Sequence, residues 1–512
     1  MVNKTLFQTV SKKNVPNTVN LAGGKAYSLS NEAALAQMAV TGCLNQTFYA
    51  TAEEQLDKIL DLARGCKPEF VAKVAIYGRN SAFMKDSPVL LLAYLSTRDM
   101  ILTEKIFNKV VNNTTQLRKF VQIIRSGQVG RKSFGTALKR MINNWLAAKS
   151  GDDLFVGSVG QSPSLSDIIK MVHPKPESKV KEAFYGYMLG REHNKRNLPS
   201  KVKAFEKFKA NTSGEVPDLP FRMLTSLNLD VEQWTEIARQ MPWNTLRMNL
   251  NTLLRHKVFD DKAMVRFIAS KLRSKEEINQ ARVFPYQLMT AYLNVENEMP
   301  VDIKNALQDA LEISTENVPS FGTDVIVCVD SSGSMQSPVT GNRGSVTTKT
   351  SCVQVAALVA ACIARKNSNT KVLLFDTAVY PMNFNERDSI VSNARLFNRS
   401  GGGTDCSAAL RFVNQNNLKA GLVIYVSDNE SWADRGYFKG TGVTEEWNKF
   451  KGKNTNAKLV LIDLIPNTTT QANDKKDVLN VGGFSDSVFT VIQNFLSDKD
   501  TFVDTINNVK LS

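Results

Sequence analysis

The stretch that decides how this chain is read is DVIVCVDSSGSM, Asp324–Met335. Val325, Ile326, Val327 and Val329 are β-branched, and with Cys328 they make a short continuous apolar run. Such a run suits a strand buried on both faces of a parallel sheet. It ends abruptly in Asp330, followed by Ser331, Ser332, Gly333 and Ser334. A loop of hydroxyls has no apolar side chain to bury, so its place at the end of a core strand calls for a chemical reason.

Three further runs of the same texture follow, KVLLFD (371–376), GLVIYVSD (421–428) and AKLVLIDL (457–464). Between them lie segments with helical composition, CVQVAALVAACIARK (352–366), DCSAALRFVNQNN (405–417) and TEEWNKFKG (444–452). Strand and helix in alternation predict an α/β domain with a doubly wound parallel sheet over residues 318–512. Pro319 and Gly322 punctuate its start.

Residues 1–317 have a different texture and predict helix after helix. Leu117, Phe120, Val121 and Ile124 fall on one helical face, as do Val231, Trp234, Ala238 and Met241, and then Leu246, Leu250, Leu253 and Leu254. Short breaks such as SGQVG (126–130) and HPKP (173–176) separate them, and no strand run stands out. Successive helical pairs stack into α-solenoids, so a degenerate HEAT-like array is expected. The whole is multidomain: a helical part at 1–317 and an α/β part at 318–512.

In doubly wound sheets ligands sit at the carboxyl ends of the strands. Asp330, Ser332 and Ser334 follow the spacing D-x-S-x-S, Thr404 lies in GGGTD (401–405), and Asp428 ends the third run. The set is all oxygen. Two carboxylates neutralise a divalent ion, three hydroxyls fill coordination without added charge, and hard oxygen donors suit Mg²⁺, with Mn²⁺ or Ca²⁺ as alternatives. The plainer role for such a loop is helix capping; the downstream Thr and Asp in order favour a metal site.

The net charge of +15 is concentrated. Residues 1–300 hold 43 Lys+Arg against 27 Asp+Glu, residues 301–512 hold 21 against 22, and residues 101–150 hold 10 against 1. That asymmetry points to a polyanion partner. Arg118, Lys119, Arg125, Arg131, Lys132, Lys139 and Arg140 carry it, with Arg118 and Arg125 spaced to share a helix face and Gly127 and Gly130 breaking the chain before Arg131. Basic side chains around free amides at a helix start make a phosphate cradle. Phe134 and Trp145 are aromatic neighbours, more commonly core than stacking platforms in helical arrays.

Other classes are disfavoured. The six cysteines form no CxxC pair, so buried reduced thiols are expected rather than disulfides or zinc. The longest mostly apolar stretch, Val353–Ala364, is too short to span a bilayer, and MVNKTLFQTVSKKN lacks a secretory apolar core, so no membrane and a cytoplasmic setting are expected. No G-x-S-x-G is present and no His lies in the α/β part, which argues against a Ser-His-Asp enzyme; two carboxylates are few for two-metal hydrolysis. The chain is read as a binding protein and not an enzyme.

D-x-S-x-S, then Thr, then Asp on such a sheet resembles the von Willebrand factor A domain and its metal-ion-dependent adhesion site. In the helical part RSGQVGRKSFGTALKRMINNWL (125–146) and LSDIIKMVHPKP (165–176) look like the TROVE module of the Ro autoantigen family, and RQMPWNTLRMNLNTL (239–253) and SDNESW (427–432) look like Ro sequences as well. The resemblance to Ro 60 kDa proteins, of the bacterial or phage type, spans nearly the whole chain; residues 1–40 match weakly. It implies a closed ring of helical repeats joined by the von Willebrand A domain. It further implies binding of single-stranded ends of misfolded or unprocessed small noncoding RNAs in a central hole. Y-like RNA would lie on the outer surface, with an exoribonuclease as a working partner in RNA quality control. By the same resemblance Asp330, Ser332, Ser334, Thr404 and Asp428 hold the metal and His173 lies in the RNA-binding surface, flanked by Lys170 and Lys175. A lone histidine is commonly a packing or capping residue, and both roles stand at this point. The stretch SPVTGNRGSVTTKTS (337–351) departs from the family and suggests a flexible rim to the metal site. The competing reading is a von Willebrand A module that binds an acidic ligand through its metal, on a helical scaffold.

Overall fold

The computed structural model describes residues 15–41, 44–159, 162–281, 283, 285–316, 318–341, 350–383, 385, 388–396, 401–433, 440–483, 487–497 and 501–511. Most of the 337–351 stretch lies outside these residues, as does Cys43. The chain forms two compact units. One comprises Met1–Gly65 with Asn317–Asn508, the other Cys66–Glu316 with Val509–Ser512. Chain texture groups residues 1–317, whereas packing places the first 65 with the α/β part.

The reason lies in short strands that composition does not reveal. In chain order the strands are β1 (Thr18–Val19), β2 (Lys25–Ser28), β3 (Val325–Asp330), β4 (Lys371–Phe375), β5 (Val379–Met382), β6 (Leu422–Ser427), β7 (Lys458–Asp463), β8 (Thr469–Thr470) and β9 (Val478–Gly482). β1, β2 and β8 make a small antiparallel sheet, with Tyr27 opposite Thr470. The early chain is therefore not free of strands: β1 and β2 pair with each other, and β8, far along the chain, completes the sheet on the other side of β2. The helix Asn31–Thr41 then packs against β9.

The main sheet has the order β5-β4-β3-β6-β7-β9. All its pairs are parallel except β4 with β5 at the edge. The four runs read as strands are β3, β4, β6 and β7. Every residue of β3 and β6 is buried, as two-sided helical cover requires. One face packs Ile326, Cys328, Phe375 and Tyr425 against Leu410, Trp447 and Phe450. The helix Cys352–Lys366 is buried nearly all round, which is why its sequence is apolar without a clear stripe. Cys328, Cys352, Cys362 and Cys406 are buried, and Cys66 is half-buried.

The second unit is helical throughout its described residues. The helix Thr114–Ser126 starts at the Asn113 cap and stops at Gly127, whose φ of 83° is open to glycine. Leu117, Phe120, Val121 and Ile124 are fully buried on its one face. Trp234, Ala238 and Met241 are buried too, but Val231 is exposed, because it is the first residue after the Asp230 cap. The leucine-rich stretch is two short helices, Trp243–Met248 and Leu250–Arg255, broken at Asn249. Among the described residues no helix is long and apolar enough to cross a membrane.

Candidate metal centre and basic surface

β3 has neighbours on both sides, β4 and β6, reached by connections running in opposite directions. This is the switch point of the sheet, where a crevice opens beyond the strand ends. Asp330 ends β3 and Asp428 follows β6.

The loops there are interlocked. The Ser331 N–H donates to Phe375 O (2.8 Å), Gly401 N–H to Ser331 O (3.0 Å) and Gly333 N–H to Gly402 O (3.1 Å). A Cβ on Gly401 would lie 2.4 Å from Ser331 O, so the glycine lets the two loops close. Thr404 O accepts from the Trp432 and Ala433 N–H groups at 3.0 and 2.9 Å, which ties the third loop in. Asp330, Ser332, Ser334, Thr404 and Asp428 are all at most 4% exposed.

Their side chains are under-paired for that depth. Asp330 Oδ1 accepts the Ser332 N–H (2.8 Å) and Oδ2 accepts the Ser427 hydroxyl (2.6 Å). The Ser332 and Ser334 hydroxyls lie 3.3 Å apart. Asp428 Oδ1 accepts the Glu430 N–H at 3.3 Å, and its fully buried Oδ2 has no partner of normal hydrogen-bond geometry, although the Ser334 hydroxyl lies close enough to the carboxyl to lower its pKa. Burial pushes the Asp330 and Asp428 carboxyls above the usual range, and the charge of Asp428 raises Asp330 further. Two desolvated like charges and an orphaned carboxylate oxygen are costly unless a cation joins them. Among the described residues no three His, Cys, Asp or Glu side chains converge as ligands. Any ion here would rely on two carboxylates and hydroxyls, the donor set of a hard cation.

Sequence reading missed the surroundings. Glu430, 3% exposed, accepts the Ala22 N–H and Asn467 Nδ2, each at 3.2 Å. Burial and the charge of Asp428 push it up to about 7. Asp463, ending β7, takes the Ile465 N–H and Asn429 Nδ2, and burial holds it well above the ordinary carboxylate range. The signal for Asp463 was present in LVLID, a strand run ending in Asp like the others. No local signal marked Tyr49 and Lys58, which line the cavity beside Asp428.

In the helical unit the basic residues separate into ties and free cations. Arg118 corrects the expectation of a shared exposed face with Arg125. It is 6% exposed, with Nε donating to Pro163 O (2.8 Å) and Nη1 to Val159 O (3.0 Å). Lys119 pairs with Asp86, and Arg131 Nη1 donates to Ser96 O at 3.1 Å. Arg140 lies 3.5 Å from Glu104 on the surface. Arg125, Lys132, Lys170 and Lys175 are exposed and Lys139 is half-exposed. The helix Thr136–Ala148 begins at Gly135 without a side-chain cap, leaving its first amides open. Trp145 is core, its Nε1 donating to Val111 O (2.8 Å), and Phe134 is half-buried. His173 is exposed and caps the helix Leu165–Val172 in the left-handed region, φ 52°.

A second basic stretch went unremarked in the sequence. Residues 191–209 carry Arg191, Lys195, Arg196, Lys201, Lys203, Lys207 and Lys209 against only Glu192 and Glu206. Lys201 and Lys207 border a cleft of about 510 Å³. A window count of charge finds it.

The Ro60 von Willebrand A domain model matches residues 324–496 and the TROVE domain model residues 168–315. An RNA-binding protein RO60 of Deinococcus radiodurans is 23% identical over 96% of this chain and 99% of its own length. The chain belongs to the Ro60 family. A Ro60 protein of Caenorhabditis elegans, likewise described as RNA-binding, is 24% identical over 54% of this chain and 43% of its own. The crystal structure of the Deinococcus radiodurans Ro (RSR) protein shares the fold with a TM-score of 0.64 at 20% identity, covering 92% of this chain and all of that one. In Ro60 terms the interlocked loops belong to the von Willebrand A domain. Lys170, His173 and Lys175 open the TROVE match, and Arg118 to Arg140 lie before it.

Proposed function

We propose that this Ro60-family chain binds RNA through its helical unit, holding single-stranded ends of misfolded or unprocessed small noncoding RNAs, and that it is a binding protein rather than an enzyme. One observation carries the reading. Residues 101–150 have ten basic residues and one acidic, and Arg125, Lys132, Lys139 and Arg140 stay on the surface beside an uncapped helix start. Exposed cations and free amides are what a phosphate backbone needs, with little sequence preference. The relatives described as RNA-binding support it. The family resemblance adds finer proposals: threading of the free end through a central hole, a Y-like RNA on the outer surface, an exoribonuclease partner and a cytoplasmic setting.

The second part of the proposal is a divalent cation, Mg²⁺ first, held by Asp330, Ser332, Ser334, Thr404 and Asp428. The unpaired Asp428 Oδ2 supports the fit. When bound, the ion would supply an electrophilic point for an oxygen ligand, and the hydroxyls and carboxylates of the chain would orient it. Gel-shift titration of the full chain with a hairpin bearing a single-stranded 3′ tail tests the RNA reading. Affinity should fall steeply between 50 and 200 mM salt, roughly tenfold or more, and removing the tail should weaken binding. A salt-independent, chelator-sensitive contact with an acidic protein would favour the interaction-module reading instead.

A further inference from the structure

The cation reading leaves one side of the centre to account for. A cavity of about 240 Å³ opens beside Asp428 and Glu430, and its opposite wall is Thr47, Tyr49, Gln55 and Lys58 of the early chain. That wall is firmly placed. Asn20 Nδ2 donates to Ser431 O (2.7 Å), Ala22 N–H to Glu430 Oε2 (3.2 Å) and Asn45 Nδ2 to Thr340 O (2.8 Å). Lys58 donates to Asn467, whose amide in turn holds Glu430.

The turn that presents Tyr49 is built locally. Thr47 N–H donates to Ala50 O (2.8 Å), and Gln55 Nε2 donates to Thr47 Oγ1 (3.2 Å). Thr51 and Glu54 form a capping box that starts the helix Ala52–Arg64 at once. Tyr49 lines the same cavity as Asp428 and Glu430, its half-buried hydroxyl beside that of Ser334. A neutral oxygen is the kind the centre already uses, adding a donor without cancelling the ion's charge.

Resting on the cation reading, we propose that Tyr49 supplies the chain's own oxygen on the open side of the metal centre, directly or through one water, so that the bound ion clamps residues 47–58 against the sheet edge and an outside carboxylate gains access only when Tyr49 is displaced. The centre is in this respect a joint between two distant parts of one chain. Partner docking at the ion then competes with an internal contact.

The test uses the full chain loaded with Mn²⁺, comparing wild type, Tyr49→Phe, Tyr49→Ala and Asp330→Ala. Tyr49→Phe keeps the ring and removes only the hydroxyl. Mn²⁺ affinity should fall about threefold or more and water-proton relaxation at the ion should rise about twofold as solvent replaces the phenol. Amide exchange over 47–58 should slow on Mg²⁺ addition in wild type and not in Tyr49→Phe. Acetate should bind the Mn²⁺ form of Tyr49→Ala measurably better than wild type. Unchanged affinity, relaxation and exchange in Tyr49→Phe, or equal acetate binding by wild type and Tyr49→Ala, would overturn the proposal. Absence of Mn²⁺ binding in wild type, or its survival in Asp330→Ala, would bring down the cation reading itself.

Discussion

Asp330 and Asp428 face each other at the end of a sheet with less hydrogen bonding than their burial demands. A cation relieves that conflict, and so does removal of one charge. Asp330→Asn should therefore stabilise the protein in chelator by about 1–2 kcal/mol while abolishing its response to Mg²⁺. Urea denaturation with and without Mg²⁺ reads both effects. A variant that is less stable in chelator would show that the Asp330 hydrogen bonds to Ser332 and Ser427 outweigh the repulsion. His173 presents a different duality, with an exposed imidazole on a left-handed backbone. His173→Gly should hold or raise the melting temperature, since glycine pays no Cβ penalty there. His173→Ala keeps the strain. If the imidazole touches RNA, both variants should lose affinity by a similar factor, about fivefold. Loss in only one of them would assign the effect to the cap.

At the scale of elements, helices and buried parallel strands were legible and small strands were not. β3, β4, β6 and β7 are complete apolar runs that end in polar residues, so period and composition suffice. β1, β2 and β8 have two to four residues each and no pattern of their own; β1 pairs with β2 nearby, and β2 with β8 across the chain. The cluster of Asp330, Ser332, Ser334, Thr404 and Asp428 was legible because these residues sit at strand ends in a recurring spacing, whereas Tyr49 comes beside it only through folding. Arg118 was misplaced for another reason. Helical periodicity assigns a charged residue to solvent, yet the carbonyls of Val159 and Pro163 give this one buried partners. The helix pair around Gly127 can be tested by that distinction. Arg118→Ala should destabilise the helical unit by about 1–3 kcal/mol, because two carbonyls lose their donor. Lys132→Glu with Lys139→Glu should leave the melting temperature within a degree or two and weaken RNA binding about tenfold or more. Calorimetry and gel shifts on the same variants separate the two roles. Retained RNA affinity in the double variant would make this surface merely solvated.

For the whole molecule, the division into two compact units predicts an uneven response to ligands. Mg²⁺ at about a hundred times its dissociation constant should stabilise the unit that holds it by roughly 2.7 kcal/mol. RNA should act on the helical unit instead. Differential scanning calorimetry with each ligand alone should shift different parts of the unfolding profile. A single transition moved equally by both would mean that the units unfold as one body.

The strands that tie the early chain to the α/β part also set a timetable. Asn20 finds its hydrogen-bond partner in Ser431, 411 residues later. At ribosomal rates of about 5–20 residues per second, that partner emerges roughly 20–80 s after Asn20 does. Throughout that interval the segment before Gly65 has only its own β1–β2 pair and helices and lacks its partners in the α/β part, while the helices from Cys66 onward are born next to their neighbours. Synthesis therefore leaves the leading segment waiting, open to proteases and holdases, until the last strands arrive. A pulse-labelled nascent chain should be clipped ahead of Gly65 in preference to the helices from Cys66 to Glu316 until translation passes Thr470.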